Sequence, residues 1–352
     1  MTLLVPFKRH STAACLLLAV ATRGFCHNPE LRRFEFSQIH MATRFRIVLY
    51  ARDQATATRA SNAAFARIKT LDNIMSDYQP RSELMRLSKH AGGPPVKVTE
   101  DLFRVLAAAQ ALAKRSDGAF DVTVGPVVRL WRRARRQHEL PEPERLARAQ
   151  KLVGYDKLRL DAKARTVQLP KPGMLLDLGG IAKGYAADEA LAVLKQMGIR
   201  SALVAGGGDI AVGAPPPSST GWRIGIAPLD SPEKKPTRYL RLHDAAVSTS
   251  GDVEQHVEIG GKRYSHIVDP RTGQALVGRS SVTVIAPNGT TSDSLATAVS
   301  VLGPKRGAEL IESIQGAAAL FIKETEKGVQ TFEVRFPPNT PPSAVQPPHQ
   351  KL

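Results

Sequence analysis

The sequence predicts an α+β fold, with mixed, largely antiparallel sheets and helices packed on them. Helical and strand-like segments mix without the regular strand–helix–strand rhythm of a doubly wound parallel sheet. Hydrophobic residues make up 42% of the 352 residues and charged residues 23%, a globular balance that excludes collagen, wholesale disorder and a disulfide mini-scaffold. Aromatic residues are only 5%, so the core must be aliphatic. No run of eighteen apolar residues exists, so no helical membrane span is expected.

The chain opens on a basic Lys8-Arg9-His10, followed by the short apolar run 13–21 (AACLLLAVA) and an A-x-A-like site at Ala19-Val20-Ala21. This pattern reads as a signal peptide over 1–26 and as export to the periplasm or cell envelope. An ordinary buried helix is the alternative. Cys15 and Cys26 are the only cysteines, and cleavage after Ala21 leaves one, so no intrachain disulfide is expected. A lipid anchor on Cys26 would need a branched aliphatic residue at 23 and a small one at 25. Arg23 and Phe25 stand there, so none is expected.

Residues 34–50 read as strands, with 44–49 (RFRIVL) partly alternating. Over 54–75, Ala60, Ala64, Ile68, Leu71 and Met75 recur every three or four positions and predict a helix. Asp77-Tyr78-Gln79-Pro80 is a turn. Thr99 caps a second helix whose apolar face is Leu102, Val105, Leu106, Ala109, Leu112 and Ala113, ending near Ser116-Asp117-Gly118. Pro141 and Pro143 open a short helix in an arginine-rich connector. Strands are expected at 158–161, 166–169 and 174–178. Gly179-Gly180 leads into a helix over 181–197 that stops at Gly198. Strands follow near 201–205, 209–213, 222–227, 239–242 and 281–286, and another carries His266. Helices over 292–302 and 305–315 and strands over 318–323 and 331–335 complete the main domain, expected over 27–335. Residues 336–352 are proline-rich, lack an apolar period and read as a disordered tail. No internal repeat is present.

The formal charge is +17, and setting aside Lys8, Arg9 and Arg23 of the leader, which contains no acid, leaves +14. Arg129, Arg132, Arg133, Arg135 and Arg136 form the densest cluster. It carries no stacking aromatic beyond Trp131 and belongs to no nucleic-acid-binding motif, so it reads as a solvated helix or loop facing anionic surfaces. Nucleic acid is not an expected partner. An acidic membrane surface stays open as a contact for this charge.

Several constellations could carry chemistry. In 177–185 (DLGGIAKGY) a strand runs through glycines into a helix start, which suits either an anion site or a tight turn. It is neither a Walker A loop nor a dinucleotide fingerprint. Gly206-Gly207-Gly208-Asp209 suits close ligand contact or a hairpin. Asp293 and Thr297 lie one helical turn apart, an oxygen pair suited to Mg²⁺, although Asp293 could equally stabilise the helix dipole. His266, before the turn at Asp269-Pro270-Arg271-Thr272-Gly273, is a candidate base or a structural histidine. The stretch 117–126 is, by physics alone, a loop.

Together the pieces become specific. The chain carries, in order, His40-Met41-Ala42-Thr43, Ser76-Asp77-Tyr78, Ser82-Glu83-Leu84, GAFDVTVGP (118–126), Leu130-Trp131, DLGGIAKGYAAD (177–188), GGGDI (206–210), STSGD (248–252), YSHIVDPRTG (264–273) and DSLATA (293–298). That ordered set closely resembles the ApbE family, the FAD:protein FMN transferases, over about 34–325.

The resemblance implies an ApbE-like fold and an exported enzyme. That enzyme moves FMN from FAD to a Thr or Ser hydroxyl of an acceptor protein, in an envelope redox complex, and releases AMP. It implies Mg²⁺ held by the main-chain oxygen of Ala182 and by Asp293 and Thr297. FAD contacts fall on Met41, Tyr78, Ala119, Phe120, Asp121, Gly179, Lys183, Tyr185, His266 and Ile267. Catalytic roles fall on His266 as base and on Lys183 as holder of phosphate charge. Ala42 departs from the family's usual Met-Gly-Thr, and the arginine run after Trp131 has no counterpart. An Mg²⁺-dependent FAD pyrophosphatase and a non-catalytic flavin-binding protein are the rival readings.

Overall fold

The computed structural model describes residues 30–229, 235–251 and 255–340, so the expected leader over 1–26 lies outside the described residues. Strands β1 (Arg32–His40) and β2 (Thr43–Ala51) form a hairpin around Met41-Ala42. Helix α1 (Gln54–Met75) starts where Asp53 accepts from Thr56 N. The short helix α2 (Glu83–Lys89), which periodicity did not reveal, is capped by Ser82, and β3 (Val96–Lys97) follows. Helix α3 (Glu100–Arg115) is capped by Thr99 as expected.

The arginine run is part of helix α4 (Gly125–Gln137), which follows a proline start at Pro126, and Pro143 opens α5 (Pro143–Gln150). Strands β4 (Arg159–Asp161) and β5 (Thr166–Gln168) complete a small sheet with β3. The strand expected at 174–178 is absent: these residues make one isolated parallel bridge, Leu175 with Val124. Helix α6 (Ala182–Gln196), β6 (Ala202–Gly206), β7 (Asp209–Val212), β8 (Trp222–Ile226) and β9 (Arg238–Leu242) match the sequence reading closely. Strands β10 (Ala245–Gly251), β11 (His256–Ile259), β12 (Lys262–Val268) and β13 (Ala275–Val277) precede β14 (Ser280–Ala286). Helix α7 (Gly289–Glu312) covers the two helices expected there, broken at Gly303 (φ 72°) before Pro304. Strands β15 (Ala318–Thr325) and β16 (Gly328–Val334) close the fold.

The main sheet is antiparallel throughout, in the order β1-β2-β6-β7-β10-β14-β15-β16. Both faces are buried at its central strands, which is why 47–49 (Ile-Val-Leu) do not alternate with polar residues. Ile47 and Leu49 face the helical layer of α1, α3, α6 and α7. Val48 faces the opposite side, under Trp222, Ile224 and Ile226 of β8 and Leu240 of β9. A third cluster joins Val127, Trp131 and Ala134 of α4 to Leu146 and Ala149 of α5 and to Val268 and Ala275. Trp131 Nε1 donates to Gly273 O at 2.8 Å, tying α4 to the β12–β13 turn. Residues 336–340, expected to be disordered, are instead attached. Phe336 is buried, Asn339 Oδ1 accepts from Tyr239 N at 2.9 Å, and Thr340 N donates to Tyr239 O at 2.8 Å. The rest of the expected tail, 341–352, lies outside the described residues.

Candidate active site

A cavity of about 660 Å³ opens where the helical layer, the small β11–β13 sheet and the end of β8 meet. That is the size of a pocket for a cofactor-sized ligand. Its floor is the Gly179-to-Lys183 turn, where the chain enters α6. Asp177 Oδ1 accepts from Gly179 N at 2.8 Å and fixes the turn. A side chain at Gly180 would stand 2.7 Å from Thr297 Oγ1, so only glycine lets α7 approach this closely.

Lys183 and two carboxylates form the charged centre. Lys183 Nζ lies 3.0 Å from Asp209 Oδ2, 3.8 Å from Asp293 Oδ2, and donates to Gly179 O at 3.0 Å. Asp293 Oδ2 also accepts from Gly184 N at 3.0 Å. Asp209 and Asp293 are both buried, and one ammonium faces them, so the cluster carries a surplus negative charge. Burial and the neighbouring Asp209 push the Asp293 carboxyl up to about 7. The carboxylates hold the Lys183 ammonium well above the usual lysine range despite its burial.

This arrangement fits a dication. The expected donors are all oxygens, as Mg²⁺ prefers. Thr297 packs on Gly180 and Asp293 on Gly184, with Ala182 between those glycines. A divalent cation would also offset the surplus charge. Among the described residues no cluster of three His, Cys, Asp or Glu offers a rival metal site.

The opposite wall comes from α4. Arg132 ion-pairs with Asp77 and, at 2.7 Å, with Asp177. Its guanidinium lies 4.6 Å from the centre of the Tyr78 ring. Burial and Asp177 still hold Asp77 above the usual carboxylate range. Arg135 also lines the cavity. His266 on β12 has Nδ1 3.2 Å from Gln255 O, and burial pushes its imidazole down to about 4.

Met41, Tyr78, Ala119, Phe120, Asp121, Gly179, Ala182, Lys183, His266, Ile267, Asp293 and Thr297 all line this cavity. Asp121 is committed to its own loop, accepting from Thr123 N at 2.8 Å and Thr123 Oγ1 at 2.7 Å. Lys183, expected to hold phosphate charge, lines the cavity with its ammonium on Asp209 and Gly179 O. Tyr185 does not reach the cavity: its hydroxyl donates to Asp101 Oδ1 at 2.7 Å, toward α3. Asp209, Arg132 and Arg135 were not singled out as site residues. The GGGD block pointed to the first. The spacing of Val128, Arg132 and Arg135, one helical face, would have found the others.

The sequence model of the ApbE family matches residues 41–321. The FAD:protein FMN transferase of Haemophilus influenzae is 34% identical over 284 residues, covering 79% of this chain and 82% of that protein. That of Treponema pallidum is 32% identical over 329 residues, covering 89% and 90%. The flavin transferase ApbE from Vibrio cholerae superposes with a TM-score of 0.77 at 29% identity, covering 87% of this chain and 98% of that one. The family model spans the stretch that carries the cavity-lining residues, the relatives cover most of the chain, and the chain belongs to the ApbE family.

Proposed function

We propose that the chain is an FAD:protein FMN transferase. It moves the FMN moiety of FAD onto a Ser or Thr hydroxyl of an acceptor protein and releases AMP, and the names of its relatives support this reading. The observation that carries it is the convergence, on one cavity, of the Lys183–Asp209–Asp293 cluster with a neutral histidine.

In the transfer, the acceptor oxygen bonds to the FMN-side phosphorus. The bond from that phosphorus to the bridging oxygen breaks, and AMP leaves with the oxygen and its electron pair. The hydroxyl proton passes to His266. A carbonyl oxygen can only accept, so the contact with Gln255 O puts the ring hydrogen on Nδ1 and leaves the Nε2 lone pair for this proton. Such a base contributes about 10²–10⁴-fold. Asp293, Thr297 and the Ala182 carbonyl would hold Mg²⁺, which when bound neutralises pyrophosphate charge. Lys183 keeps the two carboxylates together. The leader pattern supports export, with the acceptor in an envelope redox complex.

Protein lacking residues 1–26, given FAD, Mg²⁺ and an acceptor, is expected to yield a covalent fluorescent flavin band with one AMP per flavin. Asp293→Asn is expected to abolish transfer. His266→Ala is expected to lose transfer while still binding FAD. Protonation removes the base, so at saturating Mg²⁺, which would keep Asp293 ionised, kcat/KM should fall as pH drops through about 4 rather than through the ordinary histidine range. AMP release at the full rate without acceptor would mark a pyrophosphatase and overturn the reading.

A further inference from the structure

We propose that Arg135 is the guanidinium that grips the pyrophosphate of the incoming dinucleotide; this rests on reading the cavity as the FAD site. The arginine run divides by helical geometry. Arg129, Arg133 and Arg136 are exposed, whereas Arg132 and Arg135 turn with Val128 toward the cavity. Five carboxylates line that cavity: Asp77, Asp121, Asp177, Asp209 and Asp293. Against them stand three cationic side chains, Lys183, Arg132 and Arg135. An anionic dinucleotide entering this space meets a surplus of like charge unless a cation is available to it.

Two of the three cations are already committed. Lys183 is held by Asp209 and Gly179 O, and Arg132 is shared between Asp77 and Asp177. Arg135 has no hydrogen-bond or ion-pair partner among the described residues. Burial and Arg132 press its guanidinium below the usual arginine range, and the charges of Tyr78 and Asp177 offset this only in part. A guanidinium fork matches two phosphate oxygens. Arg135 and His266 line the same cavity, and the Arg135 charge reaches the His266 imidazole.

The test measures Kd for FAD and for riboflavin, which has no phosphate, by flavin fluorescence with Mg²⁺ present. Arg135→Gln is expected to weaken FAD about 10- to 100-fold, the worth of a charge-assisted hydrogen bond. Riboflavin affinity and the thermal midpoint should not change, because Arg135 supports no other protein group. Arg135→Lys keeps the charge without the fork and should recover part of the loss. An unchanged FAD Kd overturns the assignment, including the case where only the acceptor KM rises and Arg135 meets an acidic acceptor side chain. Equal weakening of riboflavin overturns it too. Parental protein that binds FAD through Arg135 but transfers no flavin would sink the transferase reading and leave this one standing.

Discussion

Met41 and Ala42 turn the β1–β2 hairpin with φ of 48° and 57°, and Met41 N is anchored to Asp72 Oδ2 at 3.1 Å. A left-handed conformation costs an L-residue about 1–2 kcal/mol, and glycine avoids most of that. Ala42→Gly is therefore expected to raise stability by about 1 kcal/mol, after allowing for glycine's greater freedom in the unfolded chain. The readout is a higher urea midpoint at constant m; an unchanged or lower midpoint would show that Ala42 bears no strain. The departure from Met-Gly-Thr was legible in the sequence, but its backbone angle was not. Tyr185 shows the same limit. It stands two residues after Lys183, about 200° around the helix, so block membership alone could not tell that its side chain points away from the cavity. Asp209 was legible as part of GGGD, but its role emerges only because β7 brings it to Lys183.

Helices α6 and α7 build the Asp293 end of the cavity as a pair. A side chain on Gly184 would stand 2.0 Å from Gly289 O and 2.8 Å from Asp293 Cβ. Asp188, one turn along α6, caps α7 by accepting from Gly289 N at 2.6 Å and from Thr290 N at 2.8 Å. Gly184→Ala gains about 1 kcal/mol of helix propensity. It also forces two backbones apart, and overpacking of that kind costs about 1–3 kcal/mol or more. The clash wins because its partner is a main-chain oxygen that no rotamer can move. Lower stability and loss of transfer are expected together, since the Gly184 N bond to Asp293 is broken. A stable, fully active variant would refute this coupling. Long periodic helices such as α1 and α3 were legible. Helix α4 was not, because its buried face is only Val127, Trp131 and Ala134 among five arginines. Strand β10 was hidden by its Ser, Thr and Gly content. Two of those hydroxyls are satisfied by neighbouring elements, Ser248 by Ser292 of α7 at 2.8 Å and Thr249 by Thr283 of β14 at 2.9 Å.

Across the whole molecule, the end of the main domain reaches the cavity through β9. Phe336 closes the cluster beneath β8, and the Arg238 guanidinium lies 4.8 Å from the centre of its ring. Beyond it, Asn339 and Thr340 hydrogen-bond both main-chain groups of Tyr239. Tyr239 pairs with Gly225, and Gly225 and its neighbours Ile224 and Ile226 line the cavity. Proline content hid this attachment, because the contacts use one aromatic ring and main-chain groups rather than a periodic apolar face. Ending the chain after Arg335 removes a buried phenylalanine, worth about 3–5 kcal/mol when truncated. It also strips the cover from Tyr239. A lower unfolding midpoint and a raised Kd for FAD are expected together, because Ile224 and Ile226 of β8 belong both to that core cluster and to the cavity lining. Phe336→Ala keeps the Asn339 and Thr340 bonds, so it should reproduce most of the stability loss and less of the affinity loss. A truncated chain with parental midpoint and parental FAD affinity would show that β8 is held by the sheet alone.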